Sequence, residues 1–144
     1  MVNMTLIIFT DGGARGNPGP AGIGIVFYIN GNIIAKLKKY IGEATNNIAE
    51  YTAVIFALDW VIENKPSADS IEFNLDSQLV VEQLNGNYKV KQDHLKKLHN
   101  EVQQKTQKIQ QLYQPNISIK FFHIERSQNK IADKLVNLVL DEKK

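Results

Sequence analysis

Leu6-Ile7-Ile8-Phe9-Thr10-Asp11-Gly12-Gly13-Ala14-Arg15-Gly16-Asn17-Pro18-Gly19-Pro20 is the stretch whose reading decides the fold. Its first four residues form an unbroken apolar run, the pattern of a strand buried on both faces. The run ends at Asp11, and the glycines and prolines from Gly12 to Pro20 read as a loop. Outward from this stretch, Ile23, Ile25 and Phe27 alternate in a second strand. Asn30-Gly31 is a hairpin turn, and residues 33–41 return as a third strand.

Thr45 can cap a long helix that runs to Asn64 and stops before Pro66. Tyr51, Ile55, Leu58 and Ile62 give it one apolar stripe, with Val54 and Val61 beside it. Residues 70–75 read as a fourth strand ending at Asp76, and a short helix from Ser77 closes at Asn85-Gly86. Leu95, Leu98, Val102, Ile109 and Leu112 mark a further amphipathic helix. After Pro115, Ile117, Ile119 and Phe121 alternate in a fifth strand, and a closing helix over 129–140 is built on Ile131, Leu135 and Leu138. The order is β-β-β-α-β-α-α-β-α. Hairpins make the first three strands antiparallel, and helical crossovers make the later ones parallel. The expected class is α/β (α+β), one mixed sheet with helices on its faces, and residues 1–144 read as a single domain.

Composition narrows the chemistry. The 144 residues are 43% hydrophobic and 22% charged, an ordinary globular balance. Cysteine is absent, which excludes disulfides, thiolate zinc sites and a cysteine nucleophile. The start carries no basic n-region, and residues 6–9 are too short for a signal or a membrane segment. A cytoplasmic location without membrane association is expected, and the N-x-[ST] matches at Asn3 and Asn116 read as chance. The net charge of +2 is too small to argue for nucleic-acid binding by itself. Its distribution says more: Lys89, Lys91, Lys96, Lys97, Lys105 and Lys108 face only Asp93 and Glu101 in that stretch. Lysines act on phosphates as flexible point charges and do not read bases.

Asp11 and Asp76 both stand where a buried strand gives way to a bend, and sites in open α/β sheets form outside the carboxyl ends of strands. If their strands are parallel neighbours, the two lie about 5 Å apart, one strand spacing. Carboxylates that close resist ionisation unless a cation neutralises them, and a hard divalent ion such as magnesium meets that need. Taken singly, either aspartate could merely cap a turn. Glu50 and Asp133, each alone on a helix, carry the surface reading of any helical acid. His94 and His99 are five apart, off the register that would bring both to one metal, and read as surface residues. No P-loop, dinucleotide-binding, H-E-x-x-H or G-x-S-x-G motif occurs.

Together these blocks resemble the type 1 ribonuclease H family, in particular its short bacterial and archaeal branch. The resemblance rests on residues 10–22, on Thr45-Asn46-Asn47 through Glu50-Tyr51, on Asp76-Ser77-Gln78-Leu79-Val80-Val81, on Asn85-Gly86 to Lys91 and on Asn129-x-x-x-Asp133. It runs in order over nearly the whole chain. It implies a five-stranded sheet in the order 3-2-1-4-5, and an endonuclease that cuts the RNA strand of RNA–DNA hybrids, leaving 5′-phosphate and 3′-hydroxyl ends. It places the family's four metal-binding, catalytic carboxylates on Asp11, Glu50, Asp76 and Asp133. Two Mg²⁺ ions, with Mn²⁺ as substitute, would be held roughly 3.5–4 Å apart. One, between Asp11 and Asp133, would activate water; the other, at Asp11, Glu50 and Asp76, would stabilise the leaving 3′ oxygen.

The same match implies substrate contacts at Gly12, Asn17, Thr45, Asn46, Asn47 and Gln78, where amides suit a 2′-hydroxyl that both donates and accepts. Thr45 fits a DNA phosphate and a helix cap equally. His123, ten residues before Asp133, has the offset of the family's product-releasing histidine, although His123-Ile124-Glu125-Arg126-Ser127 is not that glycine-rich loop. The lysine-rich insertion of longer members is absent, and Lys89, Lys91, Lys96 and Lys97 lie near its position. Glu43 stands where some members carry a phosphate-pocket arginine. A monomer is expected. The alternatives are a broader ribonuclease that also cuts double-stranded RNA, and a non-catalytic hybrid-binding module.

Overall fold

The computed structural model describes residues 4–113 and 117–143. Asn3, Pro115 and Asn116 lie outside them. Five strands, β1 (Thr5–Ala14), β2 (Gly19–Ile29), β3 (Asn32–Ala44), β4 (Ser70–Leu75) and β5 (Ser118–His123), form one sheet in the order β3-β2-β1-β4-β5. β1–β2 and β2–β3 are antiparallel, while β1–β4 and β4–β5 are parallel. The helices are α1 (Asn46–Asn64), α2 (Gln78–Leu84), α3 (Asp93–Leu112) and α4 (Lys130–Glu142). Order and pairing match the sequence reading. At the β2–β3 turn, Asn30 (φ 52°) and Gly31 (φ 77°) both take the left-handed conformation that a two-residue type I′ hairpin requires.

The glycine-rich stretch corrects the sequence reading. Gly12, Gly13 and Ala14 are not loop but strand, paired with Ile23, Gly22 and Ala21, so only residues 15–18 turn. Gly12 serves close packing, since a Cβ there would collide with the Ala49 carbonyl of α1, while one on Gly13 would meet Val136 of α4 at ordinary contact distance. Successive strand residues point to opposite faces, so α1 and α4 lie on opposite sides of the sheet. Gly24 receives α4 in the same way, since a Cβ there would run into the Ala132 carbonyl.

That glycine floor also rotates α4 away from the expected stripe. Ala132, Val136, Val139 and Leu140 are buried, whereas Ile131 and Leu138 are exposed. Because α4 covers only the glycine end of its face, Ile7 and Phe9 of β1 remain half-buried, and β1 is not sealed on both sides as its apolar run suggested. The main core lies on the other side. There Leu6, Ile8, Phe27, Ile71, Phe73 and Leu75 of the sheet meet Val54, Leu58 and Val61 of α1, and Val102 and Ile109 of α3 close it. Tyr51 is fully buried and donates its hydroxyl to Gln83 Oε1 at 2.7 Å, fastening α2 to α1. Burial pushes its phenol up to about 12.

Candidate active site

The parallel ladder of β1 and β4 ends at the pair Thr10–Leu75. The next residues, Asp11 and Asp76, therefore emerge side by side at the carboxyl ends of two neighbouring strands. Glu50 reaches them from α1. Thr45 Oγ1 accepts from Ile48 N at 3.2 Å and sets where that helix starts. The missing side chain at Gly12 lets the helix seat against β1, and the Gly12 amide donates to Glu50 Oε1 at 2.6 Å. One ligand oxygen from each of Asp11, Glu50 and Asp76 lies within 4.8 Å of the others. Asp133, in the first turn of α4, lines the same cleft of about 430 Å³ but stands outside that tight triad. Its Oδ1 lies 3.5 Å from Arg126 Nη2, and its carbonyl accepts from Asn137 Nδ2 at 3.1 Å.

Burial sets the electrostatics of this cluster. Asp11 is 8% and Glu50 5% exposed, against the surface reading of a lone helical glutamate. Desolvation raises Asp11 from 3.8 to about 7. The neighbouring Glu50 carboxyl pulls it partly back, and the charges of Asp76 and Asp133 push it up further. Glu50 is held well above its ordinary range, again chiefly by burial and then by Asp11, with the Gly12 amide opposing. Its Oε2 is buried and has no hydrogen-bond partner among the described residues. Two buried carboxyls held above their ordinary range beside the Asp76 carboxylate, one of them with an orphaned buried oxygen, are a donor set that fits a hard divalent cation.

Asn17 and Asn46 are locked in sequence: Asn17 Oδ1 accepts from Asn46 N at 3.0 Å, and Asn46 Oδ1 accepts from Ala14 N at 2.9 Å. A backbone N–H can only donate, so both amide oxygens are held at these amides, and neither NH₂ group donates to any described residue. Asn46 and Asn47 line the acidic cleft. Gln78 is exposed at the start of α2. His123 is the exposed last residue of β5, paired with Leu75 and outside the cleft lining.

Lys89 and Lys91 border a second cleft of about 530 Å³, whose wall includes Asn47, Leu79 and Tyr88. Lys96 and Lys97 are exposed on α3. His94 is exposed, but His99 is not a plain surface residue: it is half-buried, with Nε2 3.1 Å from the Gln83 carbonyl. Sequence reasoning gave Arg126, Ser77 and Asn137 no part in the site, yet all three line the acidic cleft, as does Arg15. A signal existed in the arginines, for the only two in the chain both stand on this wall.

A 3-2-1-4-5 sheet with an acidic cluster where β1 and β4 end defines the ribonuclease H-like class. Residues 9–139 match the family model described as reverse transcriptase-like. The chain is 39% identical over 140 residues to the bifunctional protein Rv2228c of Mycobacterium tuberculosis, covering 96% of this chain and 36% of that protein. It is 37% identical over 135 residues to ribonuclease HI of Halobacterium salinarum, covering 93% of this chain and 63% of that one. Among solved structures it resembles LC11-RNase H1 in complex with an RNA/DNA hybrid, at 43% identity and a TM-score of 0.83 over 96% of this chain and 98% of that one. The chain belongs to the ribonuclease H family. It spans about a third of the mycobacterial relative's length and under two thirds of the halobacterial one's.

Proposed function

We propose that this chain is an endonuclease that hydrolyses the RNA strand of RNA–DNA hybrids with two divalent ions, leaving 5′-phosphate and 3′-hydroxyl ends, as a monomer in the cytoplasm. The observation that carries the reading is the meeting of Asp11, Glu50 and Asp76 from three separate elements within 4.8 Å. The likeness to an RNase H1 solved with a hybrid supports the hybrid as the substrate class.

Asp11, Glu50 and Asp76 would hold one ion, and Asp133 with Asp11 a second. Bound there, magnesium or manganese supplies Lewis-acid chemistry, polarising the attacking water and stabilising the leaving 3′ oxygen. The chain's own contribution is position and charge. The Gly12 amide fixes Glu50, whose second oxygen is left for the ligand. The NH₂ groups of Asn17, Asn46 and Asn47 are donors for the 2′-hydroxyl and base edges of a wide minor groove. Arg15 and Arg126 bring the only guanidinium groups of the chain to the cleft, where they suit phosphate oxygens.

Cleavage of a hybrid, double-stranded RNA, single-stranded RNA and duplex DNA, each with Mg²⁺ or Mn²⁺ and with excess EDTA, tests this. Only the RNA strand of the hybrid should be cut efficiently, only with metal, and the products should accept a 3′-end ligation. Undiminished cutting in EDTA would sink the metal reading, and equal cutting of double-stranded RNA would sink the hybrid specificity.

A further inference from the structure

Asn129 is 1% exposed, and its side chain does not do what an asparagine at a helix start ordinarily does. It is the N-cap residue of α4, yet it makes no side-chain cap hydrogen bond. Both hydrogens of its Nδ2 are spent elsewhere: one on the Thr10 carbonyl at 2.9 Å, the other on Asp76 Oδ2 at 3.1 Å. Its Oδ1 is buried with no partner among the described residues. Turning the amide over would set that oxygen against a carbonyl and a carboxylate, two acceptors, so the orientation is forced. The Asn129 carbonyl meanwhile accepts from Asp133 N at 3.0 Å, the first helical bond of α4.

One residue thus touches three acid-bearing elements. It holds β1 at the residue before Asp11, grips Asp76 itself, and starts the helical turn that carries Asp133. We infer that Asn129 is a positioning residue for the metal centre. It fixes one oxygen of Asp76 so that the other faces the cleft, and it ties the position of Asp133 to that of Asp11 and Asp76. A buried hydrogen bond to a ligating carboxylate orients the ligand without touching the ion, and losing such a partner typically weakens metal affinity by about 10- to 100-fold. The inference rests on the proposed metal-dependent function.

The experiment follows Mn²⁺ binding by calorimetry in protein without nucleic acid, together with the Mg²⁺ concentration giving half-maximal hybrid cleavage. Asn129→Ala should bind Mn²⁺ about 10- to 100-fold more weakly and shift the Mg²⁺ midpoint upward by a like factor. Turnover should recover largely at saturating metal, and the Michaelis constant for hybrid should not change. In an Asp76→Ala background the same substitution should weaken Mn²⁺ binding far less, since its principal target is gone. Unchanged Mn²⁺ affinity in a variant that melts earlier would make Asn129 a packing residue and overturn the inference. Wild-type protein that binds no Mn²⁺ would overturn the metal reading instead. A second measurement needs no variant. The side-chain amide resonances of Asn129 should shift on Mg²⁺ addition to wild-type protein, and resonances that stay fixed while metal binds would also overturn it.

Discussion

The acid-lined cleft and the lysine-bordered cleft share Asn47 and differ in how they are built. In the first, Asp11 and Glu50 are buried, Asp76 and Asp133 are half-buried, and the four are crowded with like charge. Asp11, Glu50 and Asp76 come from three elements, each locked by the core beneath it. In the second, Lys89 and Lys91 are exposed on the turn after α2, and Lys96 and Lys97 on the outer face of α3. Their positions are fixed only as far as flexible side chains allow. The first arrangement holds like charges close together, which a bound cation would relieve, and it suits chemistry that needs atoms in place. The second is a diffuse positive surface, and it suits a polyanion that need only be held near. Asn47 sits where the two would meet a single substrate.

The largest expected effect breaks the first region alone. Asp76→Asn keeps the shape, and its amide oxygen can still accept from Asn129, but a charge and a strong ligand are lost. Hybrid cleavage should fall by several orders of magnitude. Hybrid binding in EDTA should hold or tighten, and the metal-free melting temperature should not drop. Wild-type cleavage would remove Asp76 from the site, and an early melt would mark it as a structural cap.

Gly12→Ala tests whether the acidic cleft depends on the packing behind it. The new methyl group collides with the Ala49 carbonyl, so α1 must back away and carry Glu50 with it. Overpacking of this kind typically costs about 1–3 kcal/mol. Urea unfolding should show that loss, and Mn²⁺ affinity should fall as well. A variant of unchanged stability would show that the helix yields freely.

For the second region, changing Lys89, Lys91, Lys96 and Lys97 together to Ala should raise the Michaelis constant for hybrid about tenfold at low salt and flatten its salt dependence. Turnover should hardly change. Collapse of turnover at a constant Michaelis constant would erase the distinction between the two clefts.

The smallest effect is a pH dependence of stability in metal-free protein. Asp11 binds its proton up to about pH 7 in the folded chain, against 3.8 as its ordinary value, and Glu50 is raised in the same direction. Between those limits the folded state holds more protons than the unfolded one, so stability falls as pH rises, the Asp11 share being lost by about pH 7. Urea midpoints in EDTA should decline from pH 4.5 to 7.5. Saturating Mg²⁺ should flatten the decline, and so should Asp76→Asn, which removes one of the charges that raise both groups. Midpoints that rise over the same range in EDTA would contradict the buried, like-charged cluster.

Much of the site was legible from strand ends. Asp11 and Asp76 each follow an apolar run, and parallel pairing of those runs brings them together. Glu50 was not legible from periodicity, because a helical acid next to Tyr51 looks like surface. Only the resemblance to a known family singled it out. Asn129 was visible as part of a motif, while its bonds to Thr10 and Asp76 span 119 and 53 residues and leave no local trace.

By itself the sequence determined the order of elements, the hairpin at Asn30-Gly31, the cap at Thr45 and the ends of β4. Those features follow from local backbone preference and from periodicity, which act over a few residues. Tertiary structure alone decided that Gly12 to Ala14 are strand, that α4 turns Val136 inward and Ile131 outward, and that Glu50 loses its water. The physical reason is shared by all three. Each depends on what a distant element presses against that position, and a missing Cβ becomes a packing surface only when a helix arrives to use it.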